Sequence, residues 1–387
     1  LLRSRRMRRS LRKFIILLLA VVALAALLYK FRNSIALEGF RWSVLGNAWR
    51  HSNLYLLLLG VVATYVAYLV RAFRWSRMSR YLGPGKIASL YSATLMGFAC
   101  VFLLGRAGEP IRPLLIARKE NLSISGMFGV YLLERVLDLG ATAVFAGLAL
   151  IAVSRGGVSA ATGTPLMRAV QTGGAAILVA FAVLTAFLIY FRLHGAGVIA
   201  ARFERSALES KNRSGWRPKL AALIAGLSEG LHALRTWGDL GAAVGWTAAH
   251  WILVVFIYVW IAHAFGGTLA ALTFSAAMLV LAFTMIGSAL QLPGVGGGAQ
   301  VATFLVFTVI FGVEKEPAAA AAITIWLITF ASSIVVGVPL LLREGWSMGE
   351  LRRVASAEKE AVVLEAEEHL AQEPRADDRG AKRDARP

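Results

Sequence analysis

The chain is built from long apolar runs separated by short polar stretches, a coarser rhythm than soluble helices or strands need. Phe14 to Tyr29, Leu54 to Val70, Met127 to Val153, Ala169 to Phe191, Gly241 to Phe265 and Ala318 to Leu342 are almost continuously apolar. Each approaches or exceeds the roughly 20 residues that cross a hydrocarbon core, so the pattern predicts six full transmembrane helices. Two further apolar stretches are interrupted. Ser89 to Leu104 runs into Gly105-Arg106-Ala107-Gly108-Glu109-Pro110-Ile111-Arg112-Pro113 and a short piece to Ala117. Leu269 to Leu290 runs into Gln291 to Gln300 and a short piece from Val301 to Gly312. The arms of the first read as too short to span, and in both glycine and proline break a helix where lipid tolerates no loose backbone. Both stretches are predicted to be re-entrant hairpins.

The two hairpins occur in matching contexts. Each ends in a charged turn, Arg118-Lys119-Glu120 or Glu314-Lys315-Glu316, and each is followed by a full span. If every other run crosses once, they enter from opposite faces, which is an inverted repeat. Paired Gly/Pro-interrupted segments of this kind point to a binding site near the midplane of a transporter. The predicted fold class is an all-α polytopic membrane protein with six full transmembrane helices plus two inverted re-entrant helical hairpins. The predicted divisions are a basic N-terminus over residues 1–13, a membrane domain over 14–343 and a charged, mostly disordered tail over 344–387. Residues 30–53 read as a mixed connector, and 192–240 as a cytoplasmic amphipathic connector.

Composition supports the membrane class. The 387 residues are 58% hydrophobic and 16% charged, against about 45–50% and about 25% in soluble domains. The net charge of +19 is concentrated beside apolar runs, not along a soluble face, which argues against nucleic-acid binding. Arg71, Arg74, Arg77, Arg80 and Lys86 follow the second run with no nearby acidic partner, so the positive-inside rule places that loop, and with it both termini, in the cytoplasm. Ala23-Leu24-Ala25 has the form of a signal-peptidase site. The apolar run continues to Tyr29, which favours an uncleaved anchor, and Met7 is an alternative start. Cys100 alone makes neither an intrachain disulfide nor a multi-cysteine metal site. Trp42, Trp49, Trp75, Trp216, Trp237 and Trp346 fall near run ends, as interfacial anchors do.

The candidate chemistry lies in the first hairpin and the span after it. Arg106 and Arg112 can hold a phosphate in bidentate fashion. Glu134, Arg135 and Asp138 sit inside an apolar run, where ionisable residues mark function. Glu134 and Asp138 share a helical face, with Arg135 pointing elsewhere. Arg106, Glu109, Arg112, Glu134, Arg135 and Asp138 are therefore the headgroup-binding candidates, and an internal ion-pair network is the alternative use of the same residues. Gly105, Gly108, Pro293, Gly294, Gly296, Gly297 and Gln300 are the hairpin and gating candidates. His250 and His263 lie thirteen residues apart on opposite faces and read as packing or hydrogen-bonding groups, not as a metal pair. No metal or other cofactor is expected. No G-x-S-x-G, H-E-x-x-H or Walker A motif occurs, and neither tail reads as a soluble catalytic domain. Only Glu109, Glu134 and Asp138 could supply a base, so the expectation is a protein that is not an enzyme.

Gly105-Arg106-Ala107-Gly108-Glu109 with Arg112-Pro113, followed by Glu134-Arg135-Val136-Leu137-Asp138, resembles the hallmark motifs of the lysylphosphatidylglycerol synthase transmembrane-region family of flippase-like proteins. Pro293 to Gln300 resembles a second family motif, with Gln300 where glutamate is usual and Val295 where glycine is usual. The resemblance implies a multi-pass protein of the bacterial inner membrane that moves an amphiphilic lipid between leaflets. The alternative it leaves open is a non-transporting accessory subunit of a lipid-modifying or glycosyl-transfer system. The implied partners are membrane lipids and such an enzyme. The aminoacyl-transfer domain of fused members is not expected in this chain. Gln300 puts in question any role that needs a carboxylate in the second hairpin.

Overall fold

A computed structural model describes residues 41–156 and 236–351, apart from 289–290, 293–295 and 348, together with residues 172, 175, 179, 182 and 183. The run from Phe14, most of the run from Ala169, nearly all of the amphipathic connector and the tail beyond 351 lie outside the described residues.

Helix α1, Trp42–Arg50, occupies part of what the apolar pattern leaves as a mixed connector. It is pinned to the last helix, because the Arg41 main-chain N–H donates to Glu316 Oε1 at 3.1 Å and Trp49 Nε1 to Thr324 Oγ1 at 2.9 Å. Helix α2, Leu54–Met78, starts at Asn53, whose side-chain oxygen accepts from the N–H groups of Tyr55 and Leu56. It runs past Val70, its expected end, because no helix breaker intervenes and Arg71, Ala72, Arg74, Trp75 and Met78 all find buried positions. Helix α3, Ile87–Leu104, is followed by a 3-10 turn at Gly105–Gly108 and by helix α4, Ile111–Glu120. Pro113 fits the first turn of α4, where backbone N–H groups have no intrahelical acceptor. Helix α5, Ile124–Gly156, is 33 residues long.

Helix α6, Trp237–Ala264, begins with a reciprocal cap: the Asp239 N–H donates to Thr236 Oγ1 and the Thr236 N–H to Asp239 Oδ2. A 3-10 turn at Gly267–Ala271 leads into helix α7, Phe274–Gly287. Gln291–Leu292 then pairs antiparallel with Gly296–Gly297, a two-residue ladder too short to make a sheet. Helix α8, Gly298–Ile310, and helix α9, Lys315–Arg343, complete the described part. Each of these two contains a π turn, at Val306–Ile310 and at Leu327–Ala331. Backbone carbonyls near the second turn are taken by α2, where Tyr65 Oη donates to the Ser332 carbonyl and Tyr68 Oη to the Thr329 carbonyl, both at 2.9 Å.

The molecule is helical, and four described helices (α2, α3, α6 and α9) are long and apolar enough to cross a membrane. Helix α3 reaches this length because it starts at Ile87, so the first hairpin has one long arm and one short arm, α4. At the second hairpin, α7 and α8 cross closely. A Cβ on Gly287 would collide with the Gly298 carbonyl and with Ala302.

The buried apolar residues form two cores. One gathers Trp251, Val255, Tyr258, Leu279, Phe307 and Ile325; the other gathers Trp75, Met96, Ile111, Met127 and Leu133. On α2 the change from one core to the other falls between Ala67 and Ala72. On α5 it falls between Leu133 and Ala149, and on α6 between Ala243 and Trp251. Arg71, Glu134 with Asp138, and Thr247 with His250 sit at those three transitions. The buried charges thus form a layer between two apolar cores.

Candidate functional site

Glu134 is wholly inaccessible to solvent, and three arginines from two other helices converge on it. Arg71 Nη1 donates to Oε1 at 3.0 Å, Arg74 Nη2 donates to the same oxygen, and Arg112 Nη2 donates to Oε2. Asp138 lies one helical turn further along α5. Its Oδ1 accepts from Arg74 Nη1 at 2.8 Å and from Trp251 Nε1 at 3.1 Å. Arg74 Nη1 also reaches Thr247 Oγ1 at 3.1 Å. Arg71 Nε donates to His250 Nε2 at 3.1 Å, which leaves the histidine proton on Nδ1, 3.2 Å from the Ala67 carbonyl. An unpaired buried charge costs several kcal/mol, so this mutual pairing is what makes the layer tolerable.

Arg71 and Arg74 correct an expectation: they are not part of a partnerless loop cluster but of a buried helix face that meets α6 and pairs with the carboxylates of α5. The signal was their own spacing, since Ala67, Arg71, Arg74, Trp75 and Met78 recur at helical intervals with buried residues between them. Trp75 is a second correction, because it is fully buried and anchors no interface. The Arg112 guanidinium lies over its ring, 4.6 Å from the centroid, with Phe98 on another side at 5.7 Å. Gly97 makes room for the Arg112 stem; a Cβ there would come within 2.6 Å of Arg112 Cβ. His263 Nε2 donates to the Leu272 carbonyl at 2.9 Å and takes no part in the charged layer.

Towards the outside of the cluster the side chains open. Arg106 is 48% exposed and Arg135 38%, against 5% for Arg112 and none for Arg74. Glu109 joins them: its Oε1 accepts from Arg106 Nη1 at 3.1 Å, and its Oε2 from Tyr131 Oη at 2.7 Å. Arg135 does not point away from its neighbours on α5. Its guanidinium lies 3.5 Å from Glu134 and 3.6 Å from Asp138, with Glu109 at 3.9 Å. Arg106 Nη2 crosses to the second hairpin and donates to the Ser288 carbonyl at 2.8 Å. Gly105 and Gly108 form the 3-10 turn that presents Arg106. The tip of one hairpin is therefore bonded to the end of the first arm of the other.

These side chains border a cavity of about 290 Å³. The lining combines the charged Arg71, Arg106, Glu109, Arg112, Arg135 and Asp138 with the apolar Phe98, Met285, Ile325, Trp326 and Phe330. The lining hydroxyls of Thr284 and Thr303 are already engaged, bonded to each other at 2.6 Å and to main-chain carbonyls. Within the described cluster, five arginines (71, 74, 106, 112 and 135) face three carboxylates (109, 134 and 138), a surplus of two positive charges.

Comparison with known protein families gives a match over residues 14–337 to the family described as lysylphosphatidylglycerol synthase TM region. The chain belongs to this family. No curated protein and no solved structure matches it significantly. The region matched contains every residue of the charged layer and both hairpins. In this family member the second hairpin contributes no charge. Gln300 Oε1 accepts from the Gly297 N–H at 2.7 Å and so caps the start of α8. Gln300 lies outside the cavity lining, whereas its neighbours Ala299 and Thr303 are part of it. Gly296 and Gly297 form one side of the two-residue ladder. Pro293 and Gly294 lie outside the described residues.

Proposed function

We propose that this protein moves an amphiphilic lipid with an anionic or phosphate-bearing headgroup between the leaflets of the bacterial inner membrane, both its termini being cytoplasmic. The observation that carries this reading is the cavity itself, whose lining combines arginines in excess of carboxylates with aromatic and aliphatic side chains. An anionic headgroup would offset the surplus charge, and its apolar part would meet Phe98, Trp326 and Phe330. At about 290 Å³ the space is at the small end of ligand sites, suited to a headgroup and not to a complete two-chain lipid. The chains would then remain in the bilayer while the headgroup crosses. Arg106, Arg112 and Arg135 contact the headgroup, and Glu109, Glu134 and Asp138 orient them. The bond from the tip of the first hairpin to the end of the second hairpin's first arm supports reading the hairpins as a pair that meets at the site, as in an inverted repeat.

No reaction is assigned. Glu134 and Asp138 are held by arginines and a tryptophan, which suits an orienting role better than that of a base. The test is a leaflet-exposure assay in reconstituted vesicles, with tail-labelled phosphatidylglycerol, phosphatidic acid and phosphatidylcholine. The expected result is protein-dependent exposure of the anionic lipids, reduced about tenfold by Arg106→Ala, since a charge-assisted bond is worth about 1.5–3 kcal/mol and 1.4 kcal/mol is a factor of ten. Exposure equal to that of empty vesicles for all three lipids would overturn the reading in favour of an accessory subunit.

A further inference from the structure

Arg71 belongs to none of the motifs that mark the first hairpin, yet its surroundings match those of Arg112. Both side chains are almost fully buried, 8% and 5% exposed, and both border the cavity. Each uses part of its guanidinium on Glu134, Arg71 on Oε1 and Arg112 on Oε2, so a single carboxylate sets their separation. Each also lies beside the same Phe98 ring, Arg71 at 5.3 Å and Arg112 at 5.7 Å from its centroid. Arg71 is fixed from behind by His250, and Arg112 by Trp75.

Neither guanidinium is used up. Among the described residues Arg71 Nη2 has no hydrogen-bond acceptor, nor have Arg112 Nε and Nη1. The arginine nitrogens that are both unpartnered and sealed from any opening are Arg74 Nε and Arg135 Nε. The spare N–H groups of Arg71 and Arg112 therefore open on the cavity both residues line. Arg74 differs: it is wholly inaccessible and does not border the cavity.

We propose that Arg71 and Arg112 form a fixed two-guanidinium clamp for a phosphate group at the more buried part of the cavity, with His250 and Glu134 as positioning residues. Arg106 and Arg135, the more exposed arginines of the lining, are then the outer ligands that first meet the headgroup. The clamp deepens the reading given under Proposed function. It assigns the phosphate itself, and not a distal headgroup anion, to the inner end. A planar fork held rigidly loses little freedom when it binds a tetrahedral oxyanion, and low local dielectric strengthens the contact.

The experiment is equilibrium binding to the detergent-solubilised full chain, read without transport, so that a failure to move lipid and a failure of the clamp are separate results. The probes are dihexanoyl phosphatidic acid and, as a phosphate-free control, dihexanoyl glycerol. The wild type should bind the phosphate probe and not the control. Arg71→Lys keeps the charge but loses the fork, and should weaken phosphate binding about tenfold or more, the loss of one charge-assisted bond. His250→Leu should weaken it too, and His250→Gln, which retains an acceptor for Arg71 Nε, should restore most of it; a merely structural histidine would not give that order.

Because Arg71→Lys can disturb folding, the wild type supplies an independent reading. Binding at exposed arginines falls steeply with salt, whereas a buried clamp is screened little. Affinity should therefore change by less than about threefold between low salt and about 0.5 M salt. Overturning results are equal binding of both probes, a folded Arg71→Lys that binds phosphate as the wild type does, or salt sensitivity matching that of an exposed site.

Discussion

Glu134 and Glu109 are two carboxylates of the same cluster in opposite situations. Glu134 is sealed and accepts from Arg71, Arg74 and Arg112. Removing its charge leaves three buried guanidinium groups short of a partner, and breaking a buried pair costs about 3–5 kcal/mol. Glu134→Gln should therefore lower the stability of the purified protein by at least about 3 kcal/mol, measured by denaturant or thermal unfolding in detergent. Glu109 is at the open end, and its side chain is 19% exposed. Glu109→Gln should cost about 1 kcal/mol or less while altering lipid exposure in vesicles. Equal destabilisation by the two substitutions would mean that the cluster has no open end. Gly97 makes a third case. Gly97→Ala places a methyl group against the Arg112 stem and should cost about 1–3 kcal/mol by overpacking, with phosphate binding weakened in the same protein.

At the scale of elements, the start of α8 explains how glutamine can stand where the resembled motif has glutamate. A side chain three residues into a helix can accept from the backbone N–H before it whether it is an amide or a carboxylate. Gln300→Glu should thus change stability by less than about 1 kcal/mol, and Gln300→Ala should lose about 1 kcal/mol. The π turn at Leu327–Ala331 depends on α2 through two tyrosine hydroxyls. The double variant Tyr65→Phe, Tyr68→Phe should cost about 1–3 kcal/mol, and unchanged unfolding would show that the turn holds itself.

Much at this scale was legible in the chain. The apolar runs located α2, α5, α6 and α9, and the glycines and prolines located the breaks between α3 and α4 and between α7 and α8, because span length and helix breaking are local properties. The partners of Arg71 and Arg74 were not legible. Their carboxylate acceptors lie 60 to 64 residues further along, and a count of positive charges beside an apolar run treats a buried arginine like a solvated one. Trp75 was misread for the same reason: its place near a run end suggested an interface, while its surroundings are set by α3, α4 and α5. Tyr131 and Trp251 escaped notice because each acts through one hydrogen bond to a carboxylate on a different segment or turn, which no spacing rule reports.

At the scale of the molecule, the charged layer between two apolar cores has a consequence for how the protein is made. Helix α2 carries Arg71 and Arg74, but Glu134 is synthesised 60 residues after Arg74. At about 5–20 residues per second, the ribosome needs about 3–12 s to supply it. During that interval α2 must enter the bilayer with two unneutralised charges, each of which opposes insertion by up to about 3 kcal/mol depending on depth. Chains stalled just before Glu134 should therefore be extracted from membranes by alkaline carbonate more readily than chains stalled after Asp138, a comparison that arrested translation products allow. Efficient insertion of the shorter product would show that α2 needs no partner. If the difference is found, α2 and α5 leave the insertion machinery together, and the ion pairs that later surround the cavity first serve as the signal that the early part of the chain is complete.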